Sequence, residues 1–164
     1  MQLYPKLYLD NLQQITIELL KKYQIKALIL DVDNTLINYE KQMPEGTKKW
    51  CADLKKEGIA FCIVSNTNQK EKVEQVANQL EIPYFYFAMK PLKKGFQKAI
   101  EIFGLKEENI AAVGDQIFTD IWGANRSHLF SILVKPIEKK DILITKLKRP
   151  IENWIIQNYE KNIK

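Results

Sequence analysis

Five short apolar segments alternate with amphipathic helical patterns along this chain of 164 residues, and this alternation limits the folds open to it. The apolar segments cover residues 26–30, 59–64, 83–87, 109–113 and 129–134. Such short, continuously apolar runs are typical of strands buried on both faces of a parallel sheet. Because strands that alternate with helices indicate βαβ units, we expect a three-layer, Rossmann-like α/β fold with a mostly parallel, five-stranded sheet.

The helical patterns each show one apolar stripe, with apolar residues three and four positions apart. They cover residues 11–23, the stretch from Pro44 to Gly58, residues 68–80, 91–103 and 117–126, and a last segment that follows Pro150. We find no internal repeat and no linker composition, so we expect a single domain spanning residues 1–164.

Composition removes several classes of protein. No apolar run approaches the roughly 20 residues that cross a bilayer, and the N-terminus lacks the plan of a signal peptide, so we expect a soluble, cytoplasmic protein. Cys51 and Cys62 lack the spacing of metal ligands and are predicted to be free, buried thiols. The single histidine, His128, offers no basis for a catalytic dyad.

The net charge of +5 is concentrated near the C-terminus, where residues 135–164 hold eight basic and four acidic side chains. Such an end is ordinarily a solvated face, but it also favours an anionic partner such as a phospholipid surface. The chain has neither zinc-finger spacing nor an aromatic and basic RNA-binding pattern, so no nucleic-acid partner is expected.

Polar side chains follow the first four apolar segments where the strands are predicted to end. In chain order they are Asp31-Val-Asp33-Asn34-Thr35, Ser65-Asn66-Thr67, Lys90-Pro91, and Gly114-Asp115 with Asp120 five residues on. Each group alone is typical of a helix cap or a turn. The carboxyl ends of parallel strands meet at one sheet edge, where ligands bind in this class of fold. We therefore expect four carboxylates, hydroxyl groups and a lysine to lie together.

This set of groups suits phosphoryl transfer assisted by a hard cation. Carboxylate oxygens are ligands that Mg²⁺ prefers, and a divalent ion would remove the repulsion between neighbouring aspartates. An ionised aspartate can attack phosphorus, and a second carboxylate can protonate the leaving alcohol. A lysine can neutralise the transferred group.

The strings DVDNT, SNT, KP and GDQIFTD, in this order, resemble the four motifs of the haloacid dehalogenase (HAD) superfamily. The longer strings LILDVDNTL, AMKP and GDQIFTDIWGANR resemble the YqeG-type phosphatases of HAD subfamily IIIA, and the similarity covers nearly the whole chain. The resemblance implies a HAD-like fold, an aspartyl-phosphate intermediate and Mg²⁺ as cofactor.

The resemblance also implies a role for each motif residue. Asp31 would be the nucleophile and Asp33 the general acid and base. The metal would be held by the Asp31 carboxylate, the Asp33 backbone carbonyl and the Asp115 carboxylate, with Asp120 as a supporting carboxylate that acts through water or orients the lysine.

The phosphoryl group would be held by Ser65, Asn66 and Thr35 and neutralised by Lys90. Lys93 and Lys94 compete for the lysine role, and Lys90 is preferred because it lies directly at the strand end. One departure is His128, which stands where relatives often have glycine before the last strand and puts the local turn geometry in doubt.

The gaps after the first two motifs are too short to hold a cap domain, so the site is expected to be open. An open site suits a macromolecule or a lipid head group. The YqeG-type proteins are similar to mitochondrial phosphatidylglycerophosphate phosphatases, which implies that lipid as substrate, in phosphatidylglycerol and cardiolipin synthesis. Residues 3–23 and 150–160 could touch the inner face of a membrane, although packing on the sheet is the favoured interpretation.

Two alternatives stay open. The same chemistry could act on a phosphosugar, a nucleotide or a phosphoprotein, or the chain could be a non-catalytic, phosphate-binding regulatory module. The complete motifs favour an enzyme, since a decayed site would be expected to lose Asp31 or Asp33 first.

Overall fold

The computed structural model describes residues 2–139 and 143–163, with only the backbone for residues 143–147. Its strands are β1 (Leu7–Leu9), β2 (Ala27–Leu30), β3 (Ala60–Val64), β4 (Tyr84–Phe85), β5 (Ile110–Gly114) and β6 (Phe130–Val134). Its α-helices are α1 (Ile17–Lys22), α2 (Thr47–Lys56), α3 (Lys70–Leu80), α4 (Lys93–Phe103), α5 (Trp122–Arg126) and α6 (Leu143–Ile163). The strands form one parallel sheet in the order β1-β6-β5-β2-β3-β4, which confirms the predicted α/β class.

The predicted strand count was wrong, because the sheet has six strands and not five. The additional strand, β1, pairs with β6 at the edge of the sheet, with Leu7 opposite Ile132. Its three residues are all half-buried, so they show neither the apolar run of a central strand nor an alternation long enough to recognise.

The prediction of one continuous helix over residues 11–23 was wrong, because this stretch forms two separate elements. A short 3₁₀ turn, Leu12–Gln14, precedes α1, and Thr16 caps α1 by accepting a hydrogen bond from the Leu19 N–H at 3.2 Å. Residues 117–126 likewise divide into a π-helical turn, Ile117–Ile121, and α5. The last helix starts at Leu143, so Pro150 lies inside α6 and not before it.

Strand β2 lies at the centre of the molecule, and all four of its residues are buried. Leu28 and Leu30 face a core that contains Trp50 of α2 and Val73 of α3. Ala27 and Ile29 face the opposite core, which contains buried residues of α4 and α5. Because alternate residues of a strand point to opposite faces, β2 separates two helical layers, and the predicted three-layer arrangement is confirmed.

Neither cysteine is in a disulfide, and both are buried, as predicted. Burial raises the pKa of Cys51 to about 11 and that of Cys62 to about 12, so both are thiols at neutral pH. Residues 31–46 form turns and a single β-bridge, and β3 and β4 are joined through α3, so neither described connection holds a cap domain. Among the described helices, none combines the length and the apolar composition that a bilayer-spanning segment requires.

Replacing Trp50 by phenylalanine should destabilise the fold, because the Trp50 indole N–H donates to the buried Ile15 carbonyl at 2.9 Å. The Trp50 ring also packs edge-to-face on Phe61, with centroids 5.6 Å apart. An unsatisfied buried acceptor costs about 1–3 kcal/mol, so we expect Trp50→Phe to lower the free energy of unfolding by about that amount in urea titrations followed by circular dichroism. The matched control is Trp154→Phe, since Trp154 is 61% exposed, and its effect should stay within about 0.5 kcal/mol. Equal effects of the two substitutions would contradict this account.

Candidate active site

The first and fourth motifs meet because β2 and β5 are neighbours. Leu30 lies opposite Val113, and the Asp31 N–H donates to the Val113 carbonyl at 3.0 Å. Asp31 and Asp115, which follow these strands, therefore point into the same space. One carboxylate oxygen each from Asp31, Asp115 and Asp120 lie within 4.8 Å of one another, and all three residues are buried.

Asp120 reaches this cluster only because residue 114 is glycine. A Cβ atom at Gly114 would lie 2.2 Å from the Asp120 carboxyl carbon, a distance that no side chain can adopt. The π-helical turn brings Asp120 back over the end of β5, where its second oxygen accepts the Gln116 N–H at 3.1 Å. The Gly-Asp pair of the fourth motif thus provides both a carboxylate and the room for a second one.

Lys90 joins two of the three carboxylates. Its Nζ donates to Asp31 Oδ1 and to Asp120 Oδ1, each at 2.7 Å. Burial alone lowers the pKa of Lys90, but the Asp120 and Asp31 carboxylates outweigh burial and raise that pKa above its usual value, so the amine stays charged. Lys93 and Lys94 lie in the first turn of α4. Of the three lysines considered, Lys90 is the one that contacts the carboxylates in the described structure.

Asn66 fixes the peptide that carries Lys90. Its Nδ2 donates to the Lys90 carbonyl at 3.0 Å, and its Oδ1 accepts the Lys90 N–H at 2.6 Å. The carboxamide is therefore occupied by backbone groups, which the sequence did not predict. Ser65, directly before it, is fully buried, and its Oγ accepts the Thr67 N–H at 3.3 Å.

Thr35 lies between the two carboxylates that end β2 and β5. Its Oγ1 is 3.5 Å from Asp31 Oδ2 and 3.4 Å from Asp115 Oδ1, so the hydroxyl can donate to one of them at a time. Asn34 takes the left-handed conformation, with φ of 62°, and exchanges two hydrogen bonds of 2.8 Å with the Glu138 backbone. The loop after β6 is thereby attached to the first motif.

Asp33 has a different environment from Asp31. Asp31 is buried, whereas the Asp33 side chain is 45% exposed at the rim of the site and pairs with Lys72 of α3 at 2.6 Å. The two aspartates of the first motif are thus separated into a buried position and an accessible one. Sequence reasoning missed Lys72, because it lies in a helix whose polar residues look solvated.

Arg149 and Glu152 of α6 were also missed. An Arg149 Nη atom contacts Asp115 Oδ2 at 3.1 Å, and a second one lies 3.4 Å from Glu152 Oε2. The buried Glu152 carboxylate accepts the Ile117 N–H at 3.1 Å, at the start of the π-helical turn. The i, i+3 spacing of Arg149 and Glu152 signals their mutual pairing, but no local pattern links them to Asp115.

In the turn before β6, His128 adopts the left-handed backbone conformation that glycine usually takes. His128 takes a left-handed φ of 60°, and its N–H donates to the Asn125 carbonyl at 3.2 Å. Histidine in place of glycine at residue 128 is therefore compatible with this turn, which lies away from the carboxylates.

Among the residues whose side chains the structure describes, the charges of the site do not balance. When all are ionised, the buried carboxylates of Asp31, Asp115, Asp120 and Glu152 carry four negative charges, and Lys90 and Arg149 return two. Burial raises the pKa of Asp31 to about 7, with the Asp120 charge adding to the effect and Lys90 opposing it. Burial, followed by the charges of Asp31 and Asp120, also raises the pKa of Asp115 against the influence of Arg149.

Converging carboxylate oxygens whose charge the described residues compensate only in part are suited to a divalent cation. Hard cations take oxygen ligands, and a bound ion favours the ionised form of each carboxylate. Asp31, Asp115 and Asp120 are the described residues whose carboxylates could hold it.

Known proteins with similar sequences include phosphatases. The family model described as Mitochondrial PGP phosphatase matches residues 1–137. The Bacillus subtilis (strain 168) protein named "Probable phosphatase YqeG" is 37% identical over 155 residues, which cover 93% of this chain and 88% of the relative. The glyceraldehyde 3-phosphate phosphatase of Pyrococcus furiosus is 29% identical over 120 residues, which cover 68% of this chain and 49% of the relative, so the chain spans about half the length of that enzyme.

The fold is similar to that of the magnesium-bound YfnB from Bacillus subtilis, described as a HAD-hydrolase. The TM-score is 0.60 at 12% sequence identity, over 73% of this chain and 90% of that chain. At this identity the likeness shows the fold alone.

A divalent cation should stabilise the protein, because it offsets the two excess negative charges of the site. At a concentration of about 100 times its dissociation constant, the gain is about 2.7 kcal/mol, which thermal unfolding with and without the cation at constant ionic strength would detect. We expect Asp115→Asn to weaken cation affinity by roughly ten-fold or more. Asp53→Asn, on the exposed side of α2, is the matched control and should keep the full response. A melting temperature that does not respond to divalent cations would contradict this reading of the charges.

Proposed function

The chain belongs to the mitochondrial PGP phosphatase family and is a HAD-type phosphatase of the YqeG kind, and we propose that it cleaves a phosphate monoester through an aspartyl-phosphate intermediate with Mg²⁺ as cofactor. One observation carries the mechanism. The buried Asp31 carboxylate is held 2.7 Å from Lys90, and it lies within 4.8 Å of carboxylate oxygens of Asp115 and Asp120 at the same sheet edge.

In the first step, an Asp31 carboxylate oxygen attacks phosphorus, and the bond between phosphorus and the ester oxygen breaks. Asp33 donates a proton to that oxygen, so the alcohol leaves in neutral form. The exposure of Asp33 at the rim supports this role, since a leaving group departs toward solvent.

In the second step, water attacks the phosphorus of the aspartyl-phosphate. Asp33, now ionised, takes the proton of that water, the bond from phosphorus to Asp31 breaks, and inorganic phosphate is released. The Asp31 carboxylate is restored.

The remaining residues hold the phosphoryl group and its charge. Lys90 neutralises the transferred group, and Asp120 orients the Lys90 amine, a role supported by their 2.7 Å contact. Ser65, the backbone N–H of Asn66 and the Thr35 hydroxyl hold phosphoryl oxygens. Mg²⁺, held by the carboxylates of Asp31 and Asp115 and by the backbone carbonyl of Asp33, would offset the negative charge on the phosphoryl group.

The favoured substrate is phosphatidylglycerophosphate. Family membership supports this choice, as does a sheet edge whose described connections hold no cap domain, so that a head group could reach Asp31. A phosphosugar is the second candidate, because a relative at 29% identity is named a glyceraldehyde 3-phosphate phosphatase. A non-catalytic module is disfavoured, since the buried pairs of Lys90 with Asp31 and with Asp120 are intact.

Asp31→Asn should abolish turnover, because an amide is not a nucleophile toward phosphorus. Asp33→Asn should lower kcat/KM by about 10²–10⁴-fold on an alkyl phosphate, which needs its leaving group protonated. The loss should be smaller on p-nitrophenyl phosphate, whose phenolate leaves without a proton. Phosphate release with Mg²⁺ measures both, and Asp53→Asn serves as the control. Full activity of Asp31→Asn, or equal losses of Asp33→Asn on both esters, would contradict the assigned roles.

A substrate panel tests the lipid assignment. Phosphatidylglycerophosphate in mixed detergent micelles is compared with soluble sugar phosphates, nucleotides and a phosphopeptide under the same conditions. We expect kcat/KM to be higher for the lipid by roughly ten-fold or more, because its glycerol and second phosphate add contacts that soluble esters lack. A preference for sugar phosphates would overturn the assignment of a lipid substrate. If no ester is turned over, the proposal that the protein is a phosphatase is wrong.

A further inference from the structure

Large exposed hydrophobic side chains are concentrated in the segments that follow the carboxyl ends of the strands. Ten such side chains are exposed among the described residues, and six of them lie in segments that follow the carboxyl ends of strands. These six are Tyr39 after β2, Tyr86, Phe87, Met89 and Leu92 after β4, and Ile137 after β6. Four of the six lie within residues 86–92, and exposed apolar side chains that are grouped in this way, and not scattered singly, indicate a binding surface.

The segment of residues 86–92, which we term the β4–α4 loop, carries four of these side chains and also carries Lys90. Its residues alternate between solvent and the interior: Phe87 is 56% and Met89 45% exposed, whereas Ala88 is buried in the core and Lys90 is buried in the site. The loop that delivers the lysine amine to Asp31 therefore presents apolar side chains outward one residue away.

The outward direction of these side chains is fixed by the backbone. Phe87 and Met89 have left-handed φ values of 50° and 54°, which bulky residues rarely adopt. The Phe87 N–H donates to the Thr67 carbonyl at 2.8 Å, and the Ala88 N–H donates to the Ser65 carbonyl at 2.9 Å, so the loop is attached to the second motif. A conformation this constrained, at an active site, is typical of function more than of packing.

The loop and the first two turns of α4 carry charged residues of positive sign only. Residues 86–100 contain Lys90, Lys93, Lys94 and Lys98 and no aspartate or glutamate. Lys94 and Lys98 line a groove of 310 Å³ together with residues 85–89, and the Lys98 amine lies 5.4 Å from the centre of the Phe85 ring. Apolar and aromatic side chains flanked by lysines match the boundary of an anionic bilayer, where rings and methylenes enter the lipid and amines meet head groups.

We propose that the β4–α4 loop, with Lys93, Lys94 and Lys98, is the surface by which this protein docks on an anionic lipid bilayer. The docked loop inserts Phe87, Met89 and Leu92 and sets Lys90 and Asp31 at the depth of the lipid head groups. The inference rests on the proposed function, since an ester carried by a lipid can reach Asp31 only where the site meets the membrane. In this proposal the β4–α4 loop contacts the membrane in place of residues 3–23 and 150–160, because the loop adjoins the reacting groups.

The test is co-sedimentation of the full chain with phosphatidylcholine vesicles that contain or lack phosphatidylglycerol. We expect binding to the anionic vesicles and release at high salt, since lysine contacts with head groups are screened. The variant Phe87→Asn/Leu92→Ser keeps the fold, because asparagine accepts a left-handed φ and serine suits residue 92, the N-cap of α4. It should bind anionic vesicles more weakly by about ten-fold or more.

The matched control is Ile102→Ser/Ile151→Ser. Ile102 and Ile151 are 51% and 54% exposed, close to the 50% of Leu92 and the 56% of Phe87, but they lie on α4 and α6 and not in the loop. The control should bind vesicles as the wild type does. Both double variants should hydrolyse p-nitrophenyl phosphate within about two-fold of the wild type, because neither touches the reacting groups.

The outcomes separate docking from catalysis. Hydrolysis of phosphatidylglycerophosphate in micelles without vesicle binding, or equal binding by the loop variant and the wild type, overturns docking and leaves the proposed function standing. If the wild type binds vesicles and the loop variant does not, the docking proposal is supported. If the wild type also fails to hydrolyse the micellar lipid, the assignment of that lipid as substrate is wrong. If light scattering gives the mass of a dimer for the wild type and of a monomer for the loop variant, the loop binds a second copy of the chain. That result would contradict the proposal that the loop binds a bilayer.

Discussion

Repulsion among three carboxylates buried within 4.8 Å of one another is the constraint on which the rest of the site depends. Burial first, and the Asp120 charge second, raise the pKa of Asp31 from 3.8 to about 7, so the folded chain holds the Asp31 proton more tightly than an unfolded chain does. Ionising Asp31 therefore costs folding free energy as the pH rises through that range, unless a cation compensates. Among the described residues, Lys90 and Arg149 offset only part of the carboxylate charge, and a bound cation would offset more of it.

Two of the charged groups of the site are held in place by residues that lie elsewhere in the chain. Asn66 holds the peptide of Lys90, and Arg149 holds Asp115. Arg149 belongs to α6, beyond residue 137, where the match to the family model ends. The shared motifs thus supply the clustered carboxylates and the lysine, whereas a helix outside the region matched by the family model compensates part of their charge.

The α/β class and the grouping of polar residues at one sheet edge could be predicted from the sequence, because both follow from local patterns and from the parallel arrangement of the strands. The apolar runs gave the central strands, and the parallel arrangement then brought Asp31, Lys90 and Asp115 together. Strand β1 was missed because three half-buried residues carry no recognisable period, and residues 11–23 were read as one helix because the Thr16 cap was overlooked. Arg149 could not be predicted, since 34 residues separate it from Asp115 and only packing joins them.

The contact between α6 and the end of β5 bears on how the protein is made. A ribosome produces the strands and all four motifs before it produces Arg149 and Glu152. During synthesis, a sheet that has already formed would hold Asp115 without its guanidinium partner and the π-helical turn without the Glu152 acceptor. Maturation of the active site is therefore tied to the emergence of α6 from the ribosome, so the nascent chain can acquire its architecture before it acquires its full complement of charge.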